Sequence, residues 1–116
     1  MITKRYHYIF DASNVAEKYH NKEHVENMLK EMPPLLNMTI LSGPNVVDGE
    51  LVNPGVSGFC IIDYSHISIH TFSDPKEAMV DIFSCKPYEP EKIKAYLMES
   101  FGVSDKDVNF VKVMYG

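Results

Sequence analysis

The chain has no low-complexity tract, no excess of basic residues, no long apolar run and only two cysteines. Each absence narrows its function. With 11 Lys and Arg against 16 Asp and Glu, the formal net charge of -5 leaves no basic face for a phosphate backbone, which argues against a nucleic-acid partner. No apolar stretch approaches the ~18 residues that a membrane-spanning helix needs. The start, Met1-Ile2-Thr3-Lys4-Arg5-Tyr6-His7, lacks the apolar core and small-residue cleavage site of a signal peptide. A cytoplasmic protein without membrane contact is therefore the expectation, with Cys60 and Cys85 as reduced thiols. Neither Cys-x-x-Cys nor His-Glu-x-x-His occurs, so no familiar zinc spacing is present. What remains, 116 residues at 45% hydrophobic and 23% charged, has the composition of one ordinary globular domain spanning 1–116.

Along the chain, Tyr6 to Phe10 reads as a strand. Asn21 then reads as the N-cap of a helix through Met32, in which Val25, Met28 and Leu29 form a buried stripe. Pro33-Pro34 is expected to stop that helix. Leu36 to Leu41 reads as a second strand. Ser42 to Pro54, with Gly43, Pro44, Gly49 and Pro54, reads as a long loop. Val56 to Tyr64 is a strongly apolar strand of the kind covered on both faces or lying at an interface. His66 to Phe72 and Ala78 to Ser84 are strands joined by the turn Ser73-Asp74-Pro75. A helix from about Glu91 to Phe101 follows, C-capped by Gly102, and Val108 to Met114 closes as a strand. This order predicts an α+β fold, a two-layer sandwich with a mostly antiparallel sheet and two helices on one face. No segment is left to cover the other face, which makes self-association through the sheet the default.

The chemistry concentrates in Tyr64-Ser65-His66-Ile67-Ser68-Ile69-His70-Thr71-Phe72 and the following Val80-Asp81-Ile82-Phe83-Ser84-Cys85. His66 and His70 in one strand share a face but sit roughly 13 Å apart at ~3.3 Å per residue, too far to share a metal ion. A Cys85-His70 pair is conceivable as a nucleophile and base meeting across adjacent strands. Taken singly, Cys85 also reads as a buried core thiol and Ser68 as a strand hydroxyl.

Together, Val56-Ser57-Gly58, Ser65-His66-Ile67-Ser68-Ile69-His70-Thr71 and Ala78-x-Val80-Asp81-Ile82-Phe83-Ser84-Cys85 resemble, in order and spacing, the short prokaryotic S-adenosylmethionine decarboxylases. The resemblance implies a self-processing enzyme. Ser65 attacks the carbonyl of Tyr64 to give an ester, and elimination then yields a β chain of residues 1–64 and an α chain of 65–116 headed by a pyruvoyl group. Such a group forms a Schiff base with the substrate amine and accepts the electrons that decarboxylation releases. By resemblance, His70 and Ser57 assist processing by proton transfer, and Cys85 returns a proton to the decarboxylated carbon. The implied protein is a homodimer that makes decarboxylated S-adenosylmethionine for spermidine synthesis. His70 lies roughly 16 Å along an extended strand from Ser65, on the opposite face, so either a sharp turn at Ser65 or a site shared between protomers is required.

The chain departs from the family pattern where substrate binding is implied. Tyr64 replaces the usual Glu before the serine, and Thr71-Phe72-Ser73-Asp74 replaces Thr-Trp-Pro-Glu. Phe72 can still stack on adenine and Asp74 can still accept from ribose hydroxyls. Tyr64 offers an aromatic face but no carboxylate to a sulfonium. Relatives that decarboxylate arginine or ornithine keep a basic amino acid open as substrate. A reading from another class, a paralogue that never cleaves and serves as a binding or regulatory partner, must explain why Ser57, Ser65, His70 and Cys85 are all retained.

Overall fold

In the computed structural model, which describes residues 4–115, a six-stranded antiparallel sheet carries two α-helices on one face. The strands are β1 (Tyr6–Ala12), β2 (Ile40–Glu50), β3 (Asn53–Ile62), β4 (Ser65–Phe72), β5 (Glu77–Ser84) and β6 (Val108–Lys112), in the order β2-β3-β4-β5-β1-β6. Helix α1 (Lys22–Leu35) lies over β2, β3 and β4, and α2 (Pro90–Phe101) packs on β1 and on α1. The two-layer α+β architecture expected from the order of elements is the one observed. No helix among the described residues is long and apolar enough to cross a membrane.

The alternation of side chains along each strand sorts the layers. Phe10, Ala12, Val56, Cys60, Ile62, Ile67, Ile69, Val80 and Ile82 point into a core closed by Val25, Met28, Leu29 and Met32 of α1 and Ile93, Leu97 and Phe101 of α2. The Asn21 side chain caps α1 by accepting from the backbone N–H of His24 at 2.8 Å. Gly102, at φ 62°, ends α2 in the left-handed conformation that favours glycine.

The sequence reading is corrected at several points. Pro33-Pro34 does not stop α1, because both prolines sit in its last turn, with Pro33 buried in the core beside Met32. The helix closes just beyond them, where Leu36 and Asn37 N–H groups donate to the carbonyls of Pro33 and Pro34. Leu36 to Thr39 is consequently the exit of the helix and not a strand; Leu36 and Met38 are buried there, which produced the misleading alternation. Ser42 to Pro54 is not a loop but most of the β2–β3 hairpin, whose turn is Leu51-Val52. Register shifts around Gly43, Pro44 and Gly49 absorb the turn-forming residues, and an edge strand tolerates the missing proline N–H. Finally, β3 is covered on one face only: Val56, Gly58, Cys60 and Ile62 are buried, whereas Phe59 and Ile61 are exposed on the sheet's open face.

Gly58 lets α1 approach β3 closely. A Cβ there would lie 2.7 Å from Leu29 Cδ1 and 2.8 Å from Val25 Cγ1, both fully buried. Gly58→Val should destabilise the protein by about 1–3 kcal/mol through overpacking. The expected readout is a lowered urea midpoint with an unchanged slope.

Candidate active site

The open face of the sheet carries His66, Ser68, His70, Ser57 and Asp81, and the strand registers arrange them in rungs across β3, β4, β5 and β1. One rung is Ile61, His66, Phe83 and His7; the next is Phe59, Ser68, Asp81 and Ile9; the third is Ser57, His70, Met79 and Asp11. His66 stacks between Phe59 and Phe83, with ring centroids 5.5 and 5.4 Å away. At the third rung Ser57 Oγ lies 2.8 Å from His70 Nδ1. This pair lines a hollow of about 240 Å³ together with Asn45, Val47, Phe59 and Ser68. Phe72 follows His70 at the end of β4, and Asp74 is exposed in the turn beyond it.

Ser65, Tyr64 and Cys85 gather at the other end of β4. Tyr64 belongs to the short turn between β3 and β4, and its carbonyl accepts the backbone N–H of Cys85 at 3.0 Å. Ser65 opens β4 at φ 153°, a backbone region that residues with a side chain rarely adopt, at a typical cost of about 1–3 kcal/mol. From Ser65 to Phe72, β4 is paired without a break on β5, and on β3 through His70. No turn within the chain brings His70 back to Ser65, so the two stand roughly 16 Å apart along the strand. The conceivable Cys85-His70 pair is overturned by the same register: His70 faces Met79 across the sheet, six positions before Cys85. Nor is Cys85 a buried core thiol; it is exposed, and Cys60 is the buried one.

Further pairings join residues that the sequence leaves apart. His7 Nε2 meets Asp81 Oδ1 at 2.8 Å and its Nδ1 meets the Tyr115 hydroxyl at 2.7 Å. Lys86 places its ammonium 5.0 Å from the centre of the Tyr64 ring. Asp81 stands in the motif on β5, but its pairing with His7 follows from the β1–β5 register, which only the folded sheet reveals.

A family model described as S-adenosylmethionine decarboxylase matches residues 6–112. The chain belongs to the S-adenosylmethionine decarboxylase family. Among relatives of this family, an S-adenosylmethionine decarboxylase proenzyme of Saccharolobus islandicus (strain L.S.2.15 / Lassen #1) is 38% identical over 86 residues, covering 73% of this chain and 67% of that protein. A proenzyme of the same name from Clostridium botulinum (strain Hall / ATCC 3502 / NCTC 13319 / Type A) is 34% identical over 97 residues, covering 82% and 81%. The crystal structure of the adenosylmethionine decarboxylase from Aquifex aeolicus VF5 shares the fold, with a TM-score of 0.80 and 22% identity over 100% of this chain and 93% of that one.

The cysteines of this family member differ sharply in surroundings. Burial pushes the Cys60 thiol up to about 11, only partly offset by a backbone hydrogen bond at Ile67. Its proton is held more tightly in the folded chain than in the unfolded one, so Cys60 contributes stability below pH ~9 that is lost as the pH rises towards 11. Iodoacetamide at pH 8 should therefore modify Cys85 at least about 100-fold faster than Cys60 in the native protein. Peptide mass mapping checks this, and equal rates would contradict it.

Proposed function

We propose that this protein is a self-cleaving, pyruvoyl-dependent S-adenosylmethionine decarboxylase. The observation that carries the reading is the strained Ser65 directly after a carbonyl that is already hydrogen-bonded by the Cys85 N–H. Cleavage needs the Ser65 hydroxyl to reach its own preceding peptide and a donor for the oxyanion that forms there, and the Cys85 N–H is such a donor. Ser65 Oγ adds to the Tyr64 carbonyl carbon, the Tyr64–Ser65 C–N bond breaks, and the hydroxyl proton passes to the released amine. Loss of the Ser65 Cα proton then breaks the Cβ–Oγ bond and releases Tyr64 as a carboxylate. Water hydrolyses the remaining enamine, through its imine, to a pyruvoyl group and ammonia, leaving chains of 1–64 and 65–116.

The pyruvoyl group supplies the electron sink that decarboxylation requires. Around it, Cys85 is the acid that protonates the decarboxylated carbon, because it is exposed and adjoins the Tyr64–Ser65 turn. Tyr64 presents its ring at that end, while Phe72 and Asp74 lie near His70 at the other. His70, held by Ser57, is the proton carrier for processing, acting on the Ser65 of a second copy. A two-fold axis lying between two stacked sheets and crossing β4 exchanges the ends of the strand, which brings the His70 end of each copy over the Ser65 end of the other. Exposed Phe59 and Ile61, with the stacked His66 and Phe83, suit this face to such a homodimer. S-adenosylmethionine, the molecule in the names of the relatives, is the substrate, and its product feeds spermidine synthesis in the cytoplasm.

Intact mass spectrometry of the wild-type protein should find two fragments separated between Tyr64 and Ser65, the C-terminal one carrying a pyruvoyl. Borohydride trapping should give an adduct with S-adenosylmethionine and none with arginine or ornithine; an adduct with a basic amino acid would reassign the substrate. A chain that stays whole on prolonged incubation would contradict the enzymatic reading and leave a non-cleaving binding partner. Ser65→Ala should abolish cleavage, and Cys85→Ala should leave cleavage intact while lowering kcat at least about 100-fold, the range expected for loss of a general acid.

A further inference from the structure

The turn that precedes Ser65 is held more firmly than an exposed hairpin turn requires. The Asp63 N–H donates to the Thr39 carbonyl, and Asp63 Oδ1 accepts the Thr39 N–H, both at 3.0 Å. The Tyr64 carbonyl is bound by Cys85, and the Tyr64 ring, which is 40% exposed, lies under the Lys86 ammonium. Lys86 is itself fixed at both ends. Its Nζ donates to the Asn37 carbonyl at 2.9 Å, just past the end of α1. Its backbone N–H donates to Ser84 Oγ and its carbonyl accepts from the same hydroxyl, both at 2.9 Å. Ser84 is fully buried, so this anchor belongs to the core.

We propose that Lys86 is a positioning residue for self-cleavage, tying the Tyr64 side of the scissile peptide to the end of α1. The inference rests on the self-cleaving reading given above. A residue at φ 153° relaxes unless the chain on both sides of it is fixed. On the C-terminal side, the pairing of β4 with β3 and β5 fixes Ser65. On the N-terminal side, Thr39, Cys85 and Lys86 do so, and Lys86, just past β5, is the member whose side chain bridges the exit of α1 and the tyrosine ring. The ammonium also has an electrostatic part to play. Negative charge develops on the Tyr64 carbonyl oxygen when Ser65 Oγ adds, and Tyr64 leaves the elimination as a carboxylate. The ammonium, held 5.0 Å from the ring centre of the same residue, adds positive potential at this turn that favours both. A neutral side chain that keeps the stem loses this attraction, the hydrogen bond to the Asn37 carbonyl and the cation–π contact.

The test is the first-order rate of cleavage of freshly translated chain, followed by intact mass, in wild type, Lys86→Met, Lys86→Arg, Tyr64→Leu and the Lys86→Met/Tyr64→Leu double variant. Melting temperatures are measured on the same variants in a Ser65→Ala background. Lys86 is half-exposed and Met retains the length of its stem, so folding is expected to persist. Lys86→Met should slow cleavage at least tenfold while Lys86→Arg stays within about threefold of wild type. The double variant should be little slower than the slower single one, since both remove the same contact. Cleavage by Lys86→Met at the wild-type rate, or a slowing matched by an equal slowing in Lys86→Arg, overturns the positioning role and leaves the self-cleaving reading standing. A wild-type chain that never cleaves removes the reading itself.

Discussion

Everything at this site depends on the pairing of β4, an interior strand hydrogen-bonded to neighbours on both sides. Such a strand does not bend without breaking two ladders, so the separation between Ser65 at its start and His70 near its end is fixed by about 3.3 Å per residue. The helices cover one face only, and the pleat sends His66, Ser68 and His70 to the other. His66, Ser68 and His70 thus lie along an uncovered face, while Ser65, in register with the buried Ile62 and Ser84, stands at the far end of the same strand. The pairing that holds both ends of β4 in place also keeps Ser65 and His70 from meeting within one copy.

The Ser65 end shows what the rest of the fold contributes. An unfavourable backbone conformation persists only where its surroundings over-determine it, and here the surroundings come from both layers. Thr39 at the exit of α1 binds Asp63 and Cys85 at the end of β5 binds the Tyr64 carbonyl. The hydrophobic core that docks α1 on β3, with Leu29 and Val25 against Gly58, therefore also sets where the residues after α1 meet the hairpin turn.

Much of the fold was legible because the burial periodicities are clean. Val25, Met28 and Leu29 marked α1, and the apolar runs in β3, β4 and β5 marked the centre of the sheet. Local punctuation misled where tertiary burial overrode it. Pro33 is accommodated because it fills core space in a last turn whose next donors are supplied by Leu36 and Asn37. Gly43, Pro44 and Gly49 are accommodated because an edge strand permits bulges. For the candidate site, motif order singled out Ser57, Ser65, His70 and Cys85, and strand arithmetic alone separated Ser65 from His70. The pairing of Ser57 with His70, of His7 with Asp81, and the reach of Lys86 to Tyr64 depend on register and on the path of the chain after α1, which no local pattern encodes.

The claim that the half-sites of two copies complete each other is tested most directly by co-expressing Ser65→Ala and His70→Ala chains that differ in mass. Each variant alone should remain essentially uncut. In mixed dimers the His70→Ala chain keeps its own Ser65 and faces an intact His70 across the interface, so that chain should be cleaved between Tyr64 and Ser65 while the Ser65→Ala chain stays whole. No cleavage in the isolated mixed dimer, or wild-type cleavage by the His70→Ala chain alone, would contradict a site shared between copies.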